Sequence, residues 1–276
     1  MRWPPRSSGR TGREPEVTRP RVIVHCLPGF LGSAKDLEFL QSLLPIRRGI
    51  PIEWSPTIAD PRPGEDWAEW SSRWLKENPR SVNSDDGAAV ELLLGYSLGG
   101  RAAAHLALAA PERFCGLIAI SANPGVPSVE ERALRIAADE AWAKRFETED
   151  WNSVLASWNA QAVFGSAEIP ERLAFRMLQE SPELRARCAR QLRQFTLGRQ
   201  EDLAPQLLRA KIRQAWITGE TDSKFTEIAR RLGASSTLLR TAVPNSGHRW
   251  LWELSEGDAA AVLGKALDFL LEQDPS

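Results

Sequence analysis

Cysteine is scarce in this chain. Cys26, Cys115 and Cys188 are the only three, an odd number, widely spaced and without a CxxC pair. That spacing excludes a disulfide framework and a zinc site, and it favours a reducing compartment. A run of roughly 20 apolar residues, the length that spans a bilayer, is also missing. The first twenty residues lack the apolar core of a secretory signal, so the cytoplasm is the expected location. Charge of either sign is not in excess: 35 Lys and Arg face 36 Asp and Glu, a net charge of −1. No global field therefore draws the protein to nucleic acid or to an acidic membrane. Histidine is nearly as rare as cysteine, with three residues, and Tyr96 is the single tyrosine. Nothing in the pattern calls for a cofactor or a metal ion.

Residues 1–20 are rich in Arg, Pro, Gly and Ser and show no hydrophobic periodicity, so a disordered extension is expected there. From residue 21, strand and helix patterns alternate. The apolar runs 21–27, 50–55, 88–95 and 114–121 read as strands, and 33–44, 65–78 and 98–109 read as helices. Trp67, Trp70 and Trp74 recur at helical spacing, a stripe better suited to a core than to a ligand cage. From 124 to 205 only helical periodicity remains. Strands at 211–218 and 236–243 and helices at 223–232 and 259–271 then restore the alternation. The expected fold is α/β: a mostly parallel sheet flanked by helices, with the core in 21–123 and 206–276. The segment 124–205 is expected to be a helical lid inserted over the carboxyl edge of the sheet.

The chemistry begins at Gly95-Tyr96-Ser97-Leu98-Gly99-Gly100, a G-x-S-x-G string between an apolar strand and a helix. This is the context of a nucleophile elbow, in the manner of an α/β-hydrolase fold. The chain must turn sharply with Ser97 in strained backbone geometry, and side chains two residues to either side would clash. The Leu98 amide, at a helix N-terminus, is placed to stabilise developing negative charge. A second such donor is expected from Leu27-Pro-Gly-Phe-Leu-Gly32, with the Phe30 amide as the candidate. Serine needs an imidazole to take its proton. His25 lies inside the first strand and His105 two turns past Ser97, which leaves His248, in the loop after a strand, as the partner. An acid must hold the imidazole, and in this fold it falls between Ser and His in the chain. Asp222, after the strand ending at Thr218, takes that position; Glu220 and Asp202 are the competitors.

These residues resemble one family within that fold, the 2-succinyl-6-hydroxy-2,4-cyclohexadiene-1-carboxylate (SHCHC) synthases of the menaquinone pathway. The resemblance rests on Gly95-Tyr-Ser-Leu-Gly-Gly-Arg101, on Asn123-Pro-Gly, and on Glu131-Arg132, Arg135, Asp139, Trp142 and Arg145-Phe146. It extends through Trp158, Gln161, Val163-Phe164 and the acid loop Gly219-Glu-Thr-Asp-Ser-Lys-Phe225, and covers roughly residues 21 to 270. It implies a lyase: pyruvate would be eliminated from 2-succinyl-5-enolpyruvyl-6-hydroxy-3-cyclohexene-1-carboxylate (SEPHCHC), with Ser97 as a base on carbon and no acyl-enzyme. The partner it implies is a small polycarboxylate, for which arginine is the fitting receptor. By motif position the binding residues would be Tyr96, Arg101, Arg135, Trp158 and Arg176. Two segments depart from the family pattern. Pro28 stands where a histidine is usual, and Ser55–Gly64 replaces the common Asp-x-Pro-Gly-His-Gly segment.

Two other functions are open on this fold. A carboxylesterase or a carbon–carbon bond hydrolase would share Ser97, His248 and Asp222 without needing the arginines. A non-catalytic binding protein on this fold would need neither.

Overall fold

The structure, a computed structural model, describes residues 21–80, 82–83, 87–165, 169–171, 173 and 179–272. Strand β1 (Val22–Leu27) is buried over its whole length, as a strand covered on both faces must be. A 3-10 turn at Ala34–Leu37 and helix α1 (Phe39–Leu43) lead to the short β2 (Ile46–Arg47) and to β3 (Ile50–Pro56). Helix α2 (Trp67–Glu77) starts at Asp66, whose carboxylate accepts from the Ala68 and Glu69 amides, each at 2.9 Å. Its tryptophans are core, as the spacing implies. Trp70 and Trp74 are buried, and Trp67 stacks on Phe195 with ring centroids 3.7 Å apart.

Two short strands, β4 (Val82–Asn83) and β5 (Gly87–Ala88), pair with each other before β6 (Val90–Tyr96), helix α3 (Leu98–Ala109) and β7 (Phe114–Ile120). Between β7 and β8 (Arg213–Gly219) lie α4 (Val129–Thr148), α5 (Trp151–Asn159), α6 (Pro182–Gln194) and α7 (Ala204–Arg209). Among the described residues of 124–205 there is no strand. Ser128, Asp150 and Ser181 cap the first three of these helices through side-chain oxygens. Helix α8 (Ser223–Arg230), strand β9 (Leu238–Val243) and helices α9 (Trp250–Glu253) and α10 (Glu256–Leu270) follow.

Seven strands form the main sheet in the order β2-β3-β1-β6-β7-β8-β9, all parallel except β2 against β3. The chain runs outward from β1 to β3, then returns to β6 on β1's other side. That reversal is a topological switch point, where open α/β sheets form their sites. The register is even across the edge: Leu27 pairs with Gly95, Tyr96 with Ile120, Ile120 with Ile217 and Gly219 with Val243. The loops after β1, β6, β7, β8 and β9 therefore emerge side by side. The inserted helices pack over that edge through Phe146, Trp151, Trp158 and Leu192, which meet Phe30 and Leu31 of the β1 loop. No helix among the described residues is long and apolar enough to cross a membrane.

Candidate active site

Ser97 sits between β6 and α3 with φ 52° and ψ −111°, a conformation that costs a non-glycine residue about 1–3 kcal/mol. The surrounding glycines show why the turn tolerates nothing larger. A Cβ on Gly95 would lie 2.2 Å from the Gly99 carbonyl oxygen, and one on Gly99 would lie 2.0 Å from that of Leu27. The elbow is thus pressed against the end of β1. This sets the first turn of α3, which begins at Leu98, beside the loop after β1. The Phe30 amide makes no hydrogen bond to another described residue.

His248 and Asp222 meet at the ends of β9 and β8. The His248 Nδ1 and an Asp222 carboxylate oxygen are 2.7 Å apart, and both side chains are buried. Asp222 also caps α8, accepting from the Phe225 amide at 3.4 Å. The imidazole is held between Phe225, at 4.5 Å between ring centroids, and Tyr96 and Phe164 at 5.6 and 5.8 Å. Such an apolar cage fixes the ring, while the carboxylate fixes which nitrogen faces the cavity. The competing acids are occupied elsewhere. Glu220 accepts the Asn245 amide at 3.0 Å, and Asp202 pairs with Arg231 at 3.2 Å. The other histidines are packing residues: His25 meets buried Glu91 at 2.8 Å, and His105 stacks on Trp67 at 4.4 Å. Burial and the neighbouring Arg101 push His105 down to about 3, so its ring stays neutral.

Ser97 and His248 line one cavity of about 400 Å³, together with Phe30, Leu98, Arg101, Arg135, Trp158 and Phe164. Arg101 is buried; it donates through Nε to Gln200 at 2.7 Å and through Nη2 to the Phe195 carbonyl at 2.5 Å, above the Trp67 ring. Burial and the nearby Arg135 both work against its charge. Arg135 donates to Asp139 at 2.9 Å, one helical turn along α4, and Asp139 lines the same cavity. Trp158 packs on Phe30 with centroids 4.5 Å apart. Tyr96 borders a smaller adjoining chamber and not the main cavity, because the strand alternation turns it toward Trp252, 4.6 Å away. Arg176 lies outside the described residues. Among the described residues no cluster of His, Cys, Asp or Glu could hold a metal ion.

Several cavity residues have no signature in the sequence. Ser121, directly after β7, has φ 45° and a buried hydroxyl without a protein partner. Gln191 of α6 donates to the Ala59 carbonyl at 2.6 Å, while its own carbonyl oxygen is buried and unpartnered. Lys224 and Phe225 reach the cavity from the start of α8; both belong to the acid loop that carries the resemblance, though no site role followed from it. The unusual segment Ser55–Gly64 does not wall the cavity. It anchors α6 instead: the Asp60 carboxylate meets Arg190 at 2.9 Å, and the Pro61 carbonyl accepts from Arg190 at 3.0 Å.

Comparison with known proteins agrees with this architecture. The Alpha/beta hydrolase family matches residues 9–263. The 2-succinyl-6-hydroxy-2,4-cyclohexadiene-1-carboxylate synthase of Serratia proteamaculans (strain 568) is 37% identical over 241 residues, covering 84% of this chain and 88% of that protein. The Escherichia coli O1:K1 / APEC protein of the same name is 35% identical over 156 residues, 56% of this chain; the match spans 60% of that relative's length. Among solved structures, MenH from S. aureus superposes with a TM-score of 0.75 at 22% identity, covering 92% of this chain and 96% of that one. The enol-lactonase from Burkholderia xenovorans LB400 superposes with a TM-score of 0.61 at 16% identity, covering 94% of each. These two show a shared fold. The chain belongs to the Alpha/beta hydrolase family, and within it to the 2-succinyl-6-hydroxy-2,4-cyclohexadiene-1-carboxylate synthases.

Proposed function

We propose that this chain eliminates pyruvate from SEPHCHC to give SHCHC, with Ser97, His248 and Asp222 as the proton-handling group. The observation that carries the reading beyond shared ancestry is the cavity itself. The serine and histidine of a hydrolase-like site face two guanidinium groups, Arg101 and Arg135, across about 400 Å³ of space. A hydrolase of neutral esters has no use for that charge, whereas a polycarboxylate entering a largely apolar pocket does.

The chemistry follows from the substrate. Its C2 hydrogen lies next to the succinyl ketone and to the ring alkene, so it is the acidic one. Ser97, relieved of its own proton by His248, removes that hydrogen. The electron pair forms the C2=C3 bond, the former C3=C4 pair moves to C4=C5, and the C5–O bond breaks to release the enolate of pyruvate, which takes the proton held by His248 to become pyruvate. Negative charge builds on the ketone oxygen during the step. The amides of Phe30 and Leu98, on the loop after β1 and the first turn of α3, are the donors expected to meet it. Asp222 holds the imidazole in the tautomer that accepts the serine proton and balances the imidazolium that results. Carbon never bonds to the serine oxygen. The carboxylates would be held by Arg101 and Arg135, with Trp158 and Phe30 against the ring.

The helices of 124–205 act as a lid in this reading, since they supply Arg135, Trp158 and Phe164. The test is to supply purified protein with SEPHCHC and, separately, with a neutral aryl ester. Pyruvate release with little ester hydrolysis is the expected result. Brisk ester hydrolysis without pyruvate would make the protein a carboxylesterase.

A further inference from the structure

Beside the main cavity lies a chamber of about 60 Å³, bordered by Gly29, Gly32, Asp36, Tyr96, Ser97 and Arg249. At about 10–15 Å³ of such space per water, it has room for a few waters or a carboxylate group. Arg249 directly follows His248 in the chain and is 4% exposed. Its guanidinium lies 3.8 Å over the Phe164 ring and donates to the Asn159 side-chain oxygen. That bond uses one of its five N–H groups.

No described carboxylate is within ion-pair distance of Arg249 among the ion pairs of the structure, and the nearby acids have other work. Glu253 accepts the Gly247 amide at 2.7 Å, Asp222 holds His248 at 2.7 Å, and Asp36 accepts from Ser33 at 2.9 and 3.1 Å. Burial works against the Arg249 charge, and Glu253 supports it only from beyond ion-pair distance; here the cation borders a small chamber next to Ser97, which the Asp36 carboxylate also lines.

We infer that this chamber is a carboxylate subsite in which Arg249 receives the terminal carboxylate of the succinyl tail. The assignment rests on the lyase reading in one respect, the choice of carboxylate. In that reaction the succinyl ketone oxygen sits at the Phe30 and Leu98 amides. Two methylenes separate the ketone from its terminal carboxylate, and the chamber is bordered by the same β1 loop that carries Phe30. Arg249 is then a specificity residue that distinguishes a succinyl chain from a shorter or uncharged one. Its bonds to Asn159 and Phe164 also tie the lid to the loop that carries His248.

Levulinate reproduces the ketone, two methylenes and carboxylate, and methyl levulinate is its uncharged counterpart. Their affinities are measured by ligand-observed NMR titration of the full-length protein, in wild type and in Arg249→Gln, Arg249→Lys and Asn159→Ala, with folding checked by circular dichroism. Saturable levulinate binding by wild type, weakened at least about tenfold in Arg249→Gln and less in Arg249→Lys, is the expected pattern. Methyl levulinate should bind more weakly than levulinate to wild type and be indifferent to both substitutions. Asn159→Ala removes a partner but keeps the charge, so its affinity should stay within about threefold. If Arg249→Gln does not fold, the Lys variant carries the test through the same contrast between acid and ester. Equal levulinate affinity in wild type and the Arg249 variants, no saturable binding by wild type, or an equal loss in Asn159→Ala would each overturn the subsite. The assay is independent of turnover. An enzyme that releases no pyruvate yet binds levulinate through Arg249 would keep the subsite and lose the lyase reading.

Discussion

Replacing Arg135 by alanine does more than delete one cation. In the native structure Arg135 covers Asp139, whose side chain is 3% exposed while that of Arg135 is 40% exposed. Both residues line the cavity. The substitution therefore removes a charge-assisted hydrogen bond to the substrate, about 1.5–3 kcal/mol. It also uncovers a buried carboxylate facing an anion. At about 8 Å and an effective dielectric of about 20, that repulsion is about 2 kcal/mol before salt screening. At a factor of ten per roughly 1.4 kcal/mol, Arg135→Ala should lower kcat/KM for SEPHCHC by about 10²- to 10³-fold. Adding Asp139→Asn should recover about tenfold, because it removes the repulsion and cannot restore the hydrogen bond. Any slow hydrolysis of a neutral aryl ester should hardly change in either variant. The assay is pyruvate release at several substrate concentrations and two ionic strengths, with the single-variant loss shrinking at the higher one. A double variant no better than Arg135→Ala, or an equal loss on the neutral ester, would refute this electrostatic reasoning.

Ser97→Ala and His248→Ala should each reduce turnover by several orders of magnitude, because the two act as a unit; a variant with more than about a tenth of wild-type rate in a stable fold would redirect the assignment. Gly99→Ala should fail to fold or unfold far below the wild-type Tm, since its Cβ would lie 2.0 Å from backbone oxygen; an unchanged melt would refute the packing at the elbow. His105 is held neutral, with a folded value of about 3 against 6.5 in the unfolded chain. Below pH 6.5 the unfolded state binds the additional proton, so stability falls with falling pH, by at most about 1.4 kcal/mol per unit from this group. His105→Gln should flatten the decline in chemical-denaturation midpoints between pH 6.5 and 4, and an unaltered slope would contradict it.

What was legible in the sequence was local or scarce. Ser97 announced itself because the elbow needs glycine at positions two residues either side, within one short string. His248 followed because only three histidines exist and two belong to buried elements. Asp222 was legible from its place after a strand, and the helical insertion from its period. Three features escaped because they depend on contacts remote in sequence. Tyr96 reaches the smaller chamber through the alternation of β6 and its packing on Trp252, which a motif does not reveal. Ser121 adopts φ 45° with no glycine to mark the turn. Arg249 meets Asn159 across 90 residues of chain, and nothing at either position alone signals the contact. The role of Ser55–Gly64 was hidden for the same reason, since its partner Arg190 lies on α6.

The account turns on Ser97 acting as a base on carbon. SEPHCHC deuterated at C2 tests that directly, in steady-state turnover and by intact-mass spectrometry of the enzyme during turnover. The expected result is a primary isotope effect on kcat/KM, with the enzyme mass unchanged throughout. An isotope effect of unity together with a substrate-derived adduct on Ser97 would show an acyl-transfer enzyme and contradict the account.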